Sequence, residues 1–173
     1  MASPTYTAKK GNYEEFLEVF DPEVNDPTDM LFNGLTNKDP KTRAAICNDM
    51  LDRGADATVV DYGQNTLTLL LSHDELGDGD PALVQRLVDT GADVNFRESH
   101  GDTPIKLAVK SGAESDEQRR PIYEALFSKD VDLDEPSSVR NPKNKIGEWL
   151  RMCVDHQPEG LKALDEFLTA RGF

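Results

Sequence analysis

The residues best able to do chemistry in this 173-residue chain are three histidines, two cysteines and an excess of carboxylates. His73, His100 and His156 show no metal-ligand spacing such as paired cysteines or His-x-x-x-His. Cys153 and His156 stand three apart with Asp155 between them. A zinc site needs a further ligand pair, which the sequence does not supply, and His156 reads as a solvated residue shortly before Pro158. There is no Gly-x-Ser-x-Gly elbow and no Gly-rich phosphate loop ending in Lys-Ser/Thr. Gly77, Gly79 and Gly91 do not form a dinucleotide fingerprint after a strand. Carboxylate pairs such as Glu14-Glu15 and Asp78/Asp80 are expected by chance in an acidic chain. A catalytic pair needs a cleft that drives one pKa away from the other. The expectation is a protein that is not an enzyme and uses neither cofactor nor metal.

The elements that position these residues recur. Gly-Ala-Asp occurs at 54–56 and 91–93, and Asp130-Val131-Asp132 follows, at spacings of 37 and 39 residues. An amphipathic helix is predicted before each: 43–53, 82–90 and 121–129. In register, Ile46, Leu83 and Ile122 coincide, as do Met50, Leu87 and Leu126, and then Leu51, Val88 and Phe127. Positions i, i+4 and i+5 share one helical stripe and predict one buried face. After each Gly-Ala-Asp comes a turn and a second short helix. In GDTPIKLAVKSG (101–112), Gly101 tolerates positive φ, Thr103 is an N-cap and Pro104 suits the first helical position. GQNTLTLLLS (63–72) has the same layout with Asn65 as cap.

GDTPIKLAVKSG and LVQRLVDTGADVNF together resemble the ankyrin repeat, whose pattern is Gly-x-Thr-Pro-Leu-His-Leu-Ala-Ala followed by a helix ending in Gly-Ala-Asp-Val-Asn. Lys106 stands at the family's usual His. The resemblance is strongest over about 54–133. It implies an all-α, ankyrin-type α-solenoid of about four helix pairs, with an extra N-terminal helix and degenerate capping units. A single domain, 1–173, would comprise an N-terminal helix at 12–20 and an N-terminal unit at 27–53. Core units would follow at 61–90 and 101–129, and a C-terminal capping unit at 145–173. The repeats exceed the usual length because of SHDELGDGDP (72–81) and SGAESDEQRRP (111–121), which read as solvated loops and tolerated spacers.

Family members bind partners through turn tips and the exposed side of each unit's first helix. Carried over, the tip positions are Val60, Tyr62 and Gln64 in the first turn, and Phe96, Arg97, Glu98, Ser99, His100 and Asp102 in the second. A third, irregular turn spans 135–145. Thr68, Lys106 and Lys110 would face the groove. Tyr62 and Phe96 read equally as interface anchors or as packing between turns.

Nineteen basic residues against thirty-three acidic ones give a formal charge of −14. Such a chain repels phosphate backbones and anionic membrane surfaces. The same charge either steers a basic protein partner or simply maintains solubility. Cys47 and Cys153 lie inside apolar helical patterns and read as buried thiols in a reducing compartment. With no apolar leader segment and no spanning stretch, the expectation is a cytoplasmic protein, and terminal units with charged outer faces favour a monomer. The chain is also similar in style to small bacterial ankyrin proteins that serve as immunity partners in polymorphic toxin systems. That resemblance implies occlusion of a basic toxin. The alternative is an adaptor or regulatory scaffold for another basic protein.

Overall fold

A computed structural model describes every residue except Asn141. The described residues form ten helices and one two-stranded hairpin, so the fold is all-α apart from that hairpin. Four helices pair with four others in chain order. They are α3 (Pro27–Gly34) with α4 (Pro40–Asp52), α5 (Thr66–Leu71) with α6 (Asp80–Asp89), α7 (Pro104–Lys110) with α8 (Asp116–Phe127), and α9 (Ile146–His156) with α10 (Lys162–Thr169). The second members pack on one another successively, α4 on α6, α6 on α8 and α8 on α10. The nine residues of the predicted stripe, from Ile46 to Phe127, are all buried.

Local chemistry explains most helix starts. Asp26 and Asp39 each cap a helix that opens with proline, and Asn65 forms a reciprocal capping box with Thr68. Thr103 occupies the expected cap position but makes no cap bond, and its hydroxyl is buried without a partner. At the N-terminus, α2 (Tyr13–Val19) follows the expected helix and buries Phe16, while Leu17 faces solvent.

Three features depart from the sequence expectation. First, a helix over Pro4–Lys10, α1, precedes α2. It is short and polar, so it carries no apolar period. Ser3 caps it, and the buried Asn37 side chain holds its end by donating to the Ala8 and Gly11 carbonyls at 2.9 and 3.1 Å. Second, α8 begins at Asp116, with Pro121 inside it, where the expected start was Pro121. Its acidic first turn suits the positive end of the helix dipole.

Third, the acidic insertions are not free solvated spacers. Asp80 is fully buried and forms an ion pair with fully buried Arg43 on α4, with contacts of 2.5 and 3.1 Å. Arg43 also donates to the Asn37 carbonyl, and Asp80 accepts from the Gly77 N–H. Asp116 is buried too, accepting from the Tyr123 hydroxyl at 2.7 Å and the Leu164 N–H at 2.8 Å. Burial and the adjoining carboxylate push the Tyr123 hydroxyl pKa well above its ordinary value. The two insertions also touch: Gly112 N–H donates to the Asp74 carbonyl at 3.0 Å, beside a parallel bridge between Glu75 and Gly112. A buried charge must be paired to remain charged. That requirement fixes each insertion against the helices instead of leaving it in water.

Candidate functional site

The turns lie side by side and are tied by hydrogen bonds. The first is a hairpin, β1 (Val60–Asp61) paired antiparallel with β2 (Gln64–Asn65). Its two-residue loop, Tyr62-Gly63, has φ of 48° and 71°. Positive φ at both central residues is what a two-residue hairpin of type I′ requires, and Asn-Gly ordinarily supplies it. Tyrosine there is strained, by about 1–3 kcal/mol. The Tyr62 ring is 85% exposed and lies 6.5 Å, between centroids, from Phe32 of α3.

Gly63 presses on the second turn. A Cβ added to it would come within 2.8 Å of the Ser99 Cβ, and the Ser99 N–H donates to the Gly63 carbonyl at 3.0 Å. Glu98 is buried under this junction. Its carboxylate accepts from the Gln64 amide at 3.1 Å, the His100 ring at 2.8 Å and the Asp102 N–H at 2.9 Å. Burial alone would raise its pKa. The bonds from the Asp102 and His100 backbones, the His100 ring and Gln64 outweigh that and hold it below the ordinary range. The third turn is tied in by Arg97, which donates to the Gly101 carbonyl at 2.8 Å and the Pro136 carbonyl at 2.5 Å. Val139 rests against Gly101 and is exposed.

This geometry sorts the predicted tip residues. Val60, Tyr62, Ser99 and His100 are exposed, while Gln64, Phe96, Arg97 and Asp102 are half-buried. Glu98 and Arg97 are spent on holding one turn to the next. Thr68, expected to face the groove, is instead fully buried: its hydroxyl accepts the Asn65 N–H at 3.0 Å within the capping box. Lys106, also expected in the groove, is buried, donating to the Ser137 carbonyl and pairing with Asp102 at 3.1 Å. Lys110 stays half-exposed and shares the same carboxylate at 2.9 Å. These two ammonium groups outweigh the burial of Asp102 and lower its pKa.

Three exposed or half-exposed side chains were not singled out from the sequence: Val139, Trp149 and Met152. A signal for two of them exists. Trp149 and Met152 fall off the stripe Ile146, Leu150, Val154 that α9 buries. Cys153 was read as buried but is only half-buried. Its thiol pKa is raised by burial, with partial relief from Lys106 and Lys110. Cys47 is fully buried and its thiol is pushed far above the ordinary range by desolvation.

Among the described residues no group of three or more His, Cys, Asp or Glu side chains could hold a metal ion, and no helix is long and apolar enough to cross a membrane. No protein-family model matches the chain, and no curated protein matches it in sequence. A solved structure does match: a protein from Leptotrichia buccalis C-1013-b, described as functionally unknown. The two share 19% identity with a TM-score of 0.76, over 99% of this chain and 95% of that one. At that identity the likeness speaks for the fold alone.

Proposed function

We propose that the chain is an ankyrin-type solenoid that binds another protein through its turn tips and performs no chemistry of its own. The successive pairing of α3 through α10 and the row of hydrogen-bonded turns support the architecture. Tyr62 is the observation that carries the function. A large aromatic held at positive φ on a hairpin tip, 85% exposed, spends stability where glycine or asparagine would cost nothing. Exposed aromatics on rigid tips are efficient interface anchors, because few torsions freeze on binding. The formal charge of −14 favours a basic partner and speeds the encounter. Occlusion of a basic toxin, as an immunity protein, is the form of this function that the charge suits.

Affinity capture from native cells with the wild-type chain as bait, followed by titration of the recovered protein, tests this reading. The expected partner is basic, stoichiometric and released by added salt. Tyr62→Ala should weaken binding at least tenfold, about 1.4 kcal/mol. A partner indifferent to Tyr62→Ala, or an acidic one indifferent to salt, would overturn the assignment.

A further inference from the structure

The two insertions are what this chain adds to an ordinary repeat, and they close around a hollow. α5 starts at the first hairpin and ends at Ser72, and α7 starts after the second turn and ends at Ser111. The insertions therefore lie at the opposite end of the helix pairs from the turn tips. Leu76 and Pro81 from one unit, and Ala113 and Ile122 from the next, give apolar walls to a hollow of about 180 Å³, room for one long side chain. The walls are held from behind. Gly112 N–H bonds the Asp74 carbonyl, and the Arg43–Asp80 pair and the Asp116 carboxylate fasten the two insertions to the helices.

The rim of this hollow is anionic. Asp78 lines it, and a larger adjoining recess that shares Leu76, Asp78 and Ala113 adds Glu75 and Glu114. All three carboxylates are exposed. The nearby guanidinium groups are engaged elsewhere. Arg119, in the wall of the hollow, donates to the Ser111 carbonyl and pairs with Asp116, while Arg120 pairs with Glu117 and Glu166. Lys41 of α4 lines a separate hollow that also touches Asp78. Among the described residues, neither Lys41 nor any other cation makes an ion pair with Glu75, Asp78 or Glu114. Three carboxylates against the one ammonium of Lys41 leave an excess of negative charge around the opening.

We propose that this hollow is a lysine pocket, which receives one lysine side chain of the basic partner. The methylenes lie against Leu76, Pro81, Ala113 and Ile122, and the ammonium group sits among Glu75, Asp78 and Glu114. Lysine combines a long apolar stem with a compact charge that has three donors. That suits apolar walls ending in several carboxylates around one point. The planar fork of arginine is matched instead to a single carboxylate taken bidentately. The apolar walls are independent of the charge, and they select a lysine where charge alone would accept any cation. The inference rests on the reading of a basic partner given above, but it places a contact at the end of the molecule away from Tyr62.

The probe is a set of capped, otherwise uncharged peptides with a single central lysine, arginine or norleucine. Each is titrated into the isotopically labelled full chain and followed by NMR. The lysine peptide should shift the Leu76, Ala113 and Ile122 methyl signals and the Gly112 N–H together, and the other two peptides should bind more weakly. Asp78→Asn should weaken the lysine peptide about threefold, the effect of losing one exposed charge pair. Ala113→Phe should abolish saturable binding by filling the hollow while every carboxylate stays in place; both positions are exposed. Glu124→Gln removes an exposed carboxylate elsewhere on α8 and should change nothing. Tyr62→Ala should leave the peptide shifts unaffected. The peptides require no knowledge of the partner, so the pocket and the tip assignment can fail separately. The absence of a saturable shift, a shift that survives Ala113→Phe, or a norleucine or arginine peptide that binds as well as lysine would overturn the pocket. Equal losses from Asp78→Asn and Glu124→Gln would also overturn it, by reducing the binding to attraction toward net charge.

Discussion

Removing Asp80 tests whether the acidic insertion is part of the core. Arg43 is fully buried, and its two contacts to a charged group, at 2.5 and 3.1 Å, are to the Asp80 carboxylate. Asp80→Ala strands the guanidinium with two backbone carbonyls, those of Asn37 and Glu75, and releases the Gly77 N–H. Breaking one side of a buried pair costs about 3–5 kcal/mol, because the surviving charge stays desolvated. Against a total stability of about 5–15 kcal/mol this is a large share. With a urea dependence of about 2 kcal/mol per molar, the unfolding midpoint should fall by about 2 M. Circular dichroism should follow the helices while Trp149 fluorescence follows the distant α9. If α4 to α6 loosens alone, the two transitions will separate. The double variant Arg43→Met with Asp80→Leu should recover most of the loss, since apolar replacement of a buried pair is often neutral or better. A loss below about 1 kcal/mol for Asp80→Ala would refute the reasoning, because that is the range of a hydrated surface pair.

Three further outcomes follow from single groups. Thr103→Val should leave the urea midpoint unchanged or raise it, since the buried Thr103 hydroxyl has no partner to lose; a drop of more than about 1 kcal/mol would show that the hydroxyl is satisfied in solution. Gly112→Ala should destabilise by about 1–3 kcal/mol, because the added Cβ would come within 2.5 Å of the backbone oxygen of Asp74, which cannot swing aside. His73 Nε2–H donates to the Leu35 carbonyl at 2.6 Å, and burial, reinforced by Arg43, lowers its pKa from 6.5 against the pull of that carbonyl. The unfolded chain therefore binds the proton more readily. The stability from this group is complete above about pH 6.5 and is lost as pH falls toward the lower folded value. His73→Gln should flatten the urea midpoint across that window; an unchanged slope would refute the assignment.

Much of the fold was legible because hydrophobic period and cap chemistry act locally. The stripe through Ile46, Leu83 and Ile122 could be read by counting, and Asp39-Pro40 and Asn65 mark helix starts whatever surrounds them. What escaped was decided at long range. Arg43, Asp80 and Arg119 occupy the same place in successive repeats, yet their types alternate, so a search for like residues passes over them. Their roles appear only when α4, α6 and α8 stand side by side. Arg43 then meets Asp80, and Arg119 turns to the Ser111 carbonyl at 2.5 Å. The candidate site shows the same division. Tyr62 was visible as an aromatic in a turn, but its positive φ depends on the two-residue hairpin that Gly63 permits. Thr68 and Lys106 were misplaced for a related reason: family register places a residue on a helix face but does not say whether a local bond has claimed its polar end. The Asn65 box claimed Thr68, and the Ser137 carbonyl claimed Lys106.

On the proposed binding function, these internal claims narrow what a partner could use. Each polar side chain that ties one turn to the next is unavailable for recognition, and Arg97, Glu98 and Lys106 are all spent in this way. Their bonds make the row of turns rigid, so the side chains left over are presented at fixed spacing. Rigidity of that kind lowers the entropy lost on binding and confines the affinity to a few positions. The consequence is a sharp asymmetry among substitutions. Changing Tyr62 should alter affinity and leave the fold intact. Changing Glu98 should reduce both together, because the turn it holds is the platform on which Tyr62 and His100 stand. If Glu98→Ala lowered affinity with no loss of stability, the platform argument would fail and Glu98 would itself be a contact.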